Sequence, residues 1–207
     1  VREKMHAFCV KIARYLAIRT GQPNRQDVLT YGLEVLLGDL MKFIILFTLA
    51  GLSGIFPTTF LATVSTVCLR LISGGKHASS HLRCLITTLA VFLCAGWLAD
   101  ILLPQFTGDK MWWIIIPAFM YLLLAVYLWV PLENEQRKFN TPEKRKKFRL
   151  LSFMLVTIWF FSAVAVVIFI TNSPFKSLYL SSTTVGLLVQ AFLISPWSVK
   201  LQEALAS

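Results

Sequence analysis

FIILFTLAGLSGIFPTTFLATVSTVCL, residues 43–69, holds no charged side chain in 27 consecutive positions. As one helix it would run about 40 Å, longer than the roughly 30 Å hydrocarbon layer of a bilayer and too short to cross it twice at full length. Gly51, Gly54 and Pro57 stand in its middle, and these residue types end helices and open turns. The stretch therefore reads as two spans, one at about 36–56 and a short one at about 58–72, with Arg70 reaching for the interface at the end of the second. The second span is either complete or re-entrant.

Working outward, further apolar runs lie at about 85–103, 112–130, 150–171 and 177–195, which makes six. Charge asymmetry agrees with that number. Six Lys/Arg fall in the first 27 residues, Arg70, Lys76 and Arg83 in 70–84, and seven more in 131–149, whereas the other connections hold only Lys110 and Lys176. Six spans put every basic segment on the cytoplasmic side; reading 43–69 as a single span would push 131–149 outside against the positive-inside rule. The expected fold is an all-α polytopic membrane protein, a single helical domain over 1–207.

Segment 1–27 precedes the spans. Met5, Phe8, Cys9, Ile12 and Leu16 recur at helical spacing among Arg2, Lys4, Lys11 and Arg14, the pattern of an amphipathic helix lying in the interface. It lacks the apolar core and cleavage site of a secretory signal peptide. A turn at Gly21-Gln22-Pro23-Asn24 closes it, and Asp27 is placed to cap the next helix. In 131–149, Thr141-Pro142-Glu143 reads as a helix start, so the following basic cluster runs into the fifth span.

Composition excludes other classes. With 57% hydrophobic and 14% charged residues and a mean hydropathy of +0.69, the chain is unlike a soluble domain. The net charge of +10 sits beside apolar spans, where it meets anionic lipid headgroups rather than nucleic acid. Cys9, Cys68, Cys84 and Cys94 form no Cys-x-x-Cys pair, so neither a disulfide framework nor a metal centre is expected and no cofactor is called for. Three of the four read as buried small apolar residues.

The exception is the polar gap Arg70-Leu71-Ile72-Ser73-Gly74-Gly75-Lys76-His77-Ala78-Ser79-Ser80-His81-Leu82-Arg83-Cys84. Thiol and imidazole are the pair a cysteine protease requires: the ring takes the thiol proton and the thiolate attacks a carbonyl. On one unbroken helix His77 and Cys84 would lie about 10 Å apart along the axis, too far for proton transfer. Gly74 and Gly75 break the helix and let the chain fold back. His81 is the rival base, three residues from Cys84 on a helical face. A plain connector is the competing reading, and spacing does not choose among the three. Arg70, Lys76 and Arg83 supply the electropositive setting that a thiolate or oxyanion needs.

This block resembles the accessory gene regulator B (AgrB) family of membrane cysteine endopeptidases. The resemblance rests on Arg70, Gly75-Lys76-His77-Ala78, Ser79-Ser80 and a cysteine seven residues after the histidine, Cys84. The basic amphipathic N-terminus, the short second span and the Lys/Arg-rich loop extend it over most of the chain. Lys76 stands where many members carry a small residue. The resemblance implies His77 as base and Cys84 as nucleophile, with Arg70, Gly75, Lys76, Ser80 and Arg83 binding substrate or stabilising charge. It also implies an AgrD-type propeptide as substrate, whose acidic tail Lys144, Arg145, Lys146 and Lys147 are placed to grip, and a homodimer in the bacterial cell membrane. Cleavage would pass through a thioester on Cys84 and end in a cyclic thiolactone or lactone, in a pocket that the amphipathic segment shields from water.

Two rivals differ in class. A small transporter would need paired charges or broken helices at the bilayer midplane, and the spans from 85 onward hold almost none; Asp100 lies near an outer end. A non-catalytic scaffold for a peptide would keep its binding after loss of Cys84. Glu34 and Asp39, flanking the first span, are candidates to orient His77 but read more simply as helix-end charges.

Overall fold

The computed structural model describes residues 2–21, 26–75, 81–132, 141–170, 173–198 and 200. The chain forms two compact units, residues 1–48 and 49–207. It is all-α, with no strand among the described residues.

In the first unit α1 (Arg2–Arg19) precedes α2 (Gln26–Leu52), which runs on into the second unit. The buried positions of α1 are Cys9, Ala13 and Ala17, a row at i, i+4 and i+8. Of the stripe expected to lie in the interface, Phe8 and Leu16 are exposed, Ile12 is half-buried and Cys9 is buried, and the side chain of Met5 lies outside the described residues. Small side chains turn inward, which permits close backbone approach. The large apolar ones, with Tyr15 and Ile18, face outward where a membrane interface would accept them. Asp27 lies in the first turn of α2. Glu34 pairs with His6 across α1 and α2, and Asp39 accepts from Lys42 at 2.8 Å. Both carboxylates are thus engaged as local helix charges.

The break expected inside 43–69 is present. Helix α2 ends at Leu52, Gly54 turns the chain at φ +74°, and α3 (Phe56–Ser73) opens with Pro57 in its first turn. Next come α4 (His81–Leu102), two tight turns at Leu103–Phe106 and Gly108–Met111, α5 (Trp112–Trp129), α6 (Pro142–Phe169) and α7 (Pro174–Leu193). Thr141 does precede the first residue of α6, although its side chain makes no capping bond.

Helices α3 and α7 run side by side and parallel. Thr66 Oγ1 donates to the Gly186 carbonyl at 2.7 Å, and further along both helices in the same direction Gln190 meets Ser73. Two turns before Thr66 on the same buried stripe of α3, Gly96 of α4 packs on Thr59. Such contacts need small residues, because inside a bilayer helices associate through close packing rather than through expulsion of water. Helices α5 and α6 complete the unit: Ile115, Leu122, Val126, Val156 and Ala163 are fully buried, Phe119 stacks on Phe160 at 4.1 Å, and Trp159 Nε1 donates to Thr183 Oγ1 at 3.0 Å.

Five helices are long and apolar enough to cross a membrane: α2, α3, the helix at 83–106, α5 and α6. The sixth expected span forms as α7, but Lys176, Gln190 and five serine and threonine residues keep its composition outside that set. The reason is position. Every residue from Leu180 to Leu187 is buried within the protein, so this helix need not present an apolar surface to lipid. Thr183 and Thr184 satisfy their hydroxyls on carbonyls one turn back, at 2.7 and 2.5 Å.

The cysteines depart from expectation. Cys9 is buried, but Cys68 and Cys94 are exposed on α3 and α4. A small apolar side chain is as well placed against hydrocarbon as in the interior.

The closeness of α3 and α7 yields one expected result. A methyl group at Gly186 would overlap the Ala62 carbonyl oxygen and Ser65 Oγ. Gly186→Val should therefore destabilise the protein by at least about 3 kcal/mol, the upper end of ordinary overpacking. Gly51→Ala, where the added carbon meets nothing within 4 Å, should change it by less than about 1 kcal/mol. Thermal unfolding in detergent, followed by tryptophan fluorescence, compares the two.

Candidate functional site at the end of α3

The site begins where α3 stops. Gly74 has φ +84° and ψ −169°, a conformation that is essentially glycine's alone. Its N–H still bonds to the Arg70 carbonyl at 3.0 Å, but the chain then leaves the helix axis. The glycine break anticipated from the sequence is real, and Gly74 executes it.

The exit is held from three directions. The chain after α5 comes first: Leu132 N–H donates to the Ser73 carbonyl at 2.9 Å, and Gly74 and Leu132 form a parallel bridge. Arg149, at the start of α6, ties that strap down by donating from Nε to the Val130 carbonyl at 2.9 Å. From α7, Gln190 Nε2 donates to Ser73 Oγ at 3.0 Å and to the Gly74 carbonyl at 3.1 Å. The third is Arg70, half-buried, whose guanidinium lies over Gly75 about where a side chain would otherwise stand: a methyl there would be 3.1 Å from its carbon. Arg70 therefore extends past the last residue of α3 and folds onto Gly75. Ser73, Gly74 and Gly75 are all buried.

Cys84 sits in the first turn of α4 and is half-buried. Thr87 Oγ1 donates to the Arg83 and Cys84 carbonyls at 2.8 and 3.2 Å, which stiffens that turn. Its thiol meets the positive end of the helix dipole, as does any anion developing there. Depth follows from the Thr59–Gly96 contact between the antiparallel α3 and α4. Arg70 lies eleven residues beyond Thr59 and Cys84 twelve before Gly96, so each is about 17 Å from the crossing and at a common level. Arg83, beside it, is exposed.

Lys144, Arg145, Lys146 and Lys147 form the first turns of α6, all exposed. Arg149 on the same helix reaches the strap, so this basic surface and the α3 exit belong to one end of the second unit. Lys76, His77 and Ser80 lie outside the described residues. His81 is the first residue of α4.

Sequence reasoning missed Gly74 as the conformationally obligate glycine, Ser73, Leu132 and Gln190. A signal existed only for Gln190, an amide inside an apolar run, where polar groups are rare. No cluster of three metal-ligating side chains occurs among the described residues.

The fold and this end define a class: a multi-pass, all-helical membrane protein in which a helix is broken by glycine under an arginine and the next helix carries a cysteine in its first turn. The chain belongs to the accessory gene regulator B family, whose profile it matches over residues 9–194. Membership implies a role in processing the quorum-sensing peptide of the accessory gene regulator system. Among its relatives are AgrB-like proteins of Listeria innocua, 29% identical over 83% of this chain and 77% of the relative, and of Listeria monocytogenes, 28% identical over the same shares. An AgrB-like protein of Clostridium perfringens is 24% identical over 76% of both chains. No solved structure matches the chain.

Proposed function

We propose that the protein is a membrane cysteine endopeptidase that removes the C-terminal tail of an AgrD-type propeptide at the cytoplasmic face of the bacterial membrane, working as a homodimer. The observation that carries this reading is Cys84, held half-buried at a helix N-terminus and level with Arg70, beside a segment whose entry is fastened by α7 and by the strap.

His77 takes the Cys84 proton and the thiolate attacks the carbonyl carbon at the junction of signal and tail. Arg70 and the N-terminal turn of α4 favour the negative charge that gathers on the carbonyl oxygen. The C–N bond breaks, the imidazolium gives its proton to the departing amine, and the signal remains as a thioester on Cys84. A cysteine or serine of the signal then loses its proton to His77 and attacks that thioester. The bond between the acyl carbon and Cys84 Sγ breaks, the departing thiolate takes back the proton from the imidazolium, and a cyclic thiolactone or lactone leaves. Water must be kept from the thioester while the internal nucleophile is admitted, and the buried, strapped exit of α3 favours that selection.

The testing experiment is intact-mass analysis of the protein in lipid vesicles with a cognate propeptide. The expected adduct has the mass of the propeptide less its tail and maps to Cys84. A protein that binds the propeptide but yields neither adduct nor tail is a scaffold or an export component instead.

Lys144, Arg145, Lys146 and Lys147 draw the acidic tail to this end, in the range of distances that salt screens. Changing all four to Gln should raise KM about tenfold at low ionic strength with kcat within twofold. It should also remove most of the salt dependence of kcat/KM, measured between about 50 and 500 mM salt, a range over which the Debye length falls from ~14 Å to ~4 Å.

A further inference from the structure

Gln190 is fully buried near the end of α7, in a helix that already fills its interior with small and aliphatic residues. Leu or Met would bury the same volume without a polar group. The amide orientation follows from its partners: the Gly74 carbonyl can only accept, so the group facing it is Nε2, whose second hydrogen points to Ser73 Oγ. Both donors are used on the last residue of α3 and the first residue beyond it. Oε1 is consequently turned away, buried and without a hydrogen-bond partner among the described residues. An unmet buried carbonyl is unfavourable by about 1–3 kcal/mol, so burial alone does not explain a glutamine here.

What the residue does is fasten the backbone at the point where α3 opens towards His77, three residues after Gly74. It acts across 116 positions of sequence and from a helix that carries no other candidate residue. We propose that Gln190 is a positioning residue of the peptidase: it sets the direction in which the Gly74–Cys84 segment leaves α3, and so the alignment of base and nucleophile, without contacting substrate. The assignment rests on the endopeptidase reading given above. A displacement of about 1 Å in such a pair lowers the rate roughly 100-fold while leaving ground-state binding intact.

The test compares wild type, Gln190→Met, Gln190→Asn and His77→Ala in lipid vesicles, normalised to folded protein. Tail release gives kcat and KM, and iodoacetamide gives the alkylation rate of Cys84 with Cys9, Cys68 and Cys94 replaced by alanine. Gln190→Met should lose roughly 10- to 100-fold in kcat with KM within threefold. Its Cys84 alkylation should slow towards that of His77→Ala. Gln190→Asn, which keeps the amide one methylene short, should fall between. A Gln190→Met protein with wild-type kcat and alkylation overturns the assignment, as does one that changes KM alone. If that variant does not fold, Gln190→Asn decides, and wild-type behaviour there overturns the assignment equally. Should the wild type itself form no Cys84 adduct, the endopeptidase reading fails first; an adduct in wild type with Gln190 variants unaffected removes only the role of Gln190.

Discussion

Cys84→Ala yields a protein that still binds the propeptide but releases no tail and carries no adduct. The reason is chemical rather than structural. Cys84 is half-buried in the first turn of α4, which Thr87 stiffens through two carbonyls, and alanine keeps both helix propensity and most of the volume. Stability should move by less than about 1 kcal/mol, while tail release should fall by at least about 10⁴-fold, as when a covalent nucleophile is deleted elsewhere. Cys84→Ser should recover almost none of it, because a hydroxyl paired with a base tuned to a thiol is a poor nucleophile. His77→Ala should lose about 10²- to 10⁴-fold, the usual contribution of a general base. Mass analysis and tail quantification separate these outcomes, and retained activity in Cys84→Ala would sink the mechanism.

Gly74→Ala should also be damaging, although Gly74 is no participant in the chemistry. The backbone there stands at φ +84° and ψ −169°, where a side chain is strained by about 1–3 kcal/mol. The added methyl would also lie 2.5 Å from the Leu132 carbonyl oxygen, so either the strap or the α3 exit must move. We expect tail release to drop by roughly 100-fold or more, with the helices still folded by circular dichroism. Gly75→Ala is the informative comparison. The nearest neighbours of its methyl would be atoms at the far end of the Arg70 side chain, the first at 3.1 Å, which can swing aside, so a loss of about tenfold is expected. The ordering Gly74→Ala worse than Gly75→Ala is the point at stake, because the family motif names Gly75. The reverse order would mean that the strap does not hold the exit.

Much of this protein is legible in its residues. The division of 43–69 into α2 and α3 was visible because Gly51, Gly54 and Pro57 leave little other choice to a charge-free run of that length. Helix α6 starts behind Thr141 for an equally local reason. Where the reading failed, the cause was packing. Cys68 and Cys94, expected among the buried small apolar residues, are exposed, because hydropathy ceases to mark the interior once the surroundings are also apolar. Glu34 and Asp39, read more simply as helix-end charges than as partners for His77, pair with His6 and Lys42.

By itself, then, the sequence determined the class of fold, the helix boundaries set by glycine and proline, and the block of thiol, imidazole and cations that carries the chemistry. Those depend on local backbone preference and on the hydrophobic thickness of a bilayer, both of which act on neighbouring residues. Only the tertiary structure decided that α7 is the buried centre, that Gly74 is the obligate glycine, and that Gln190 and Leu132 hold the exit of α3. These are contacts between residues 58 to 117 positions apart, and an amide or a leucine carries no mark in the chain of the carbonyl it will meet.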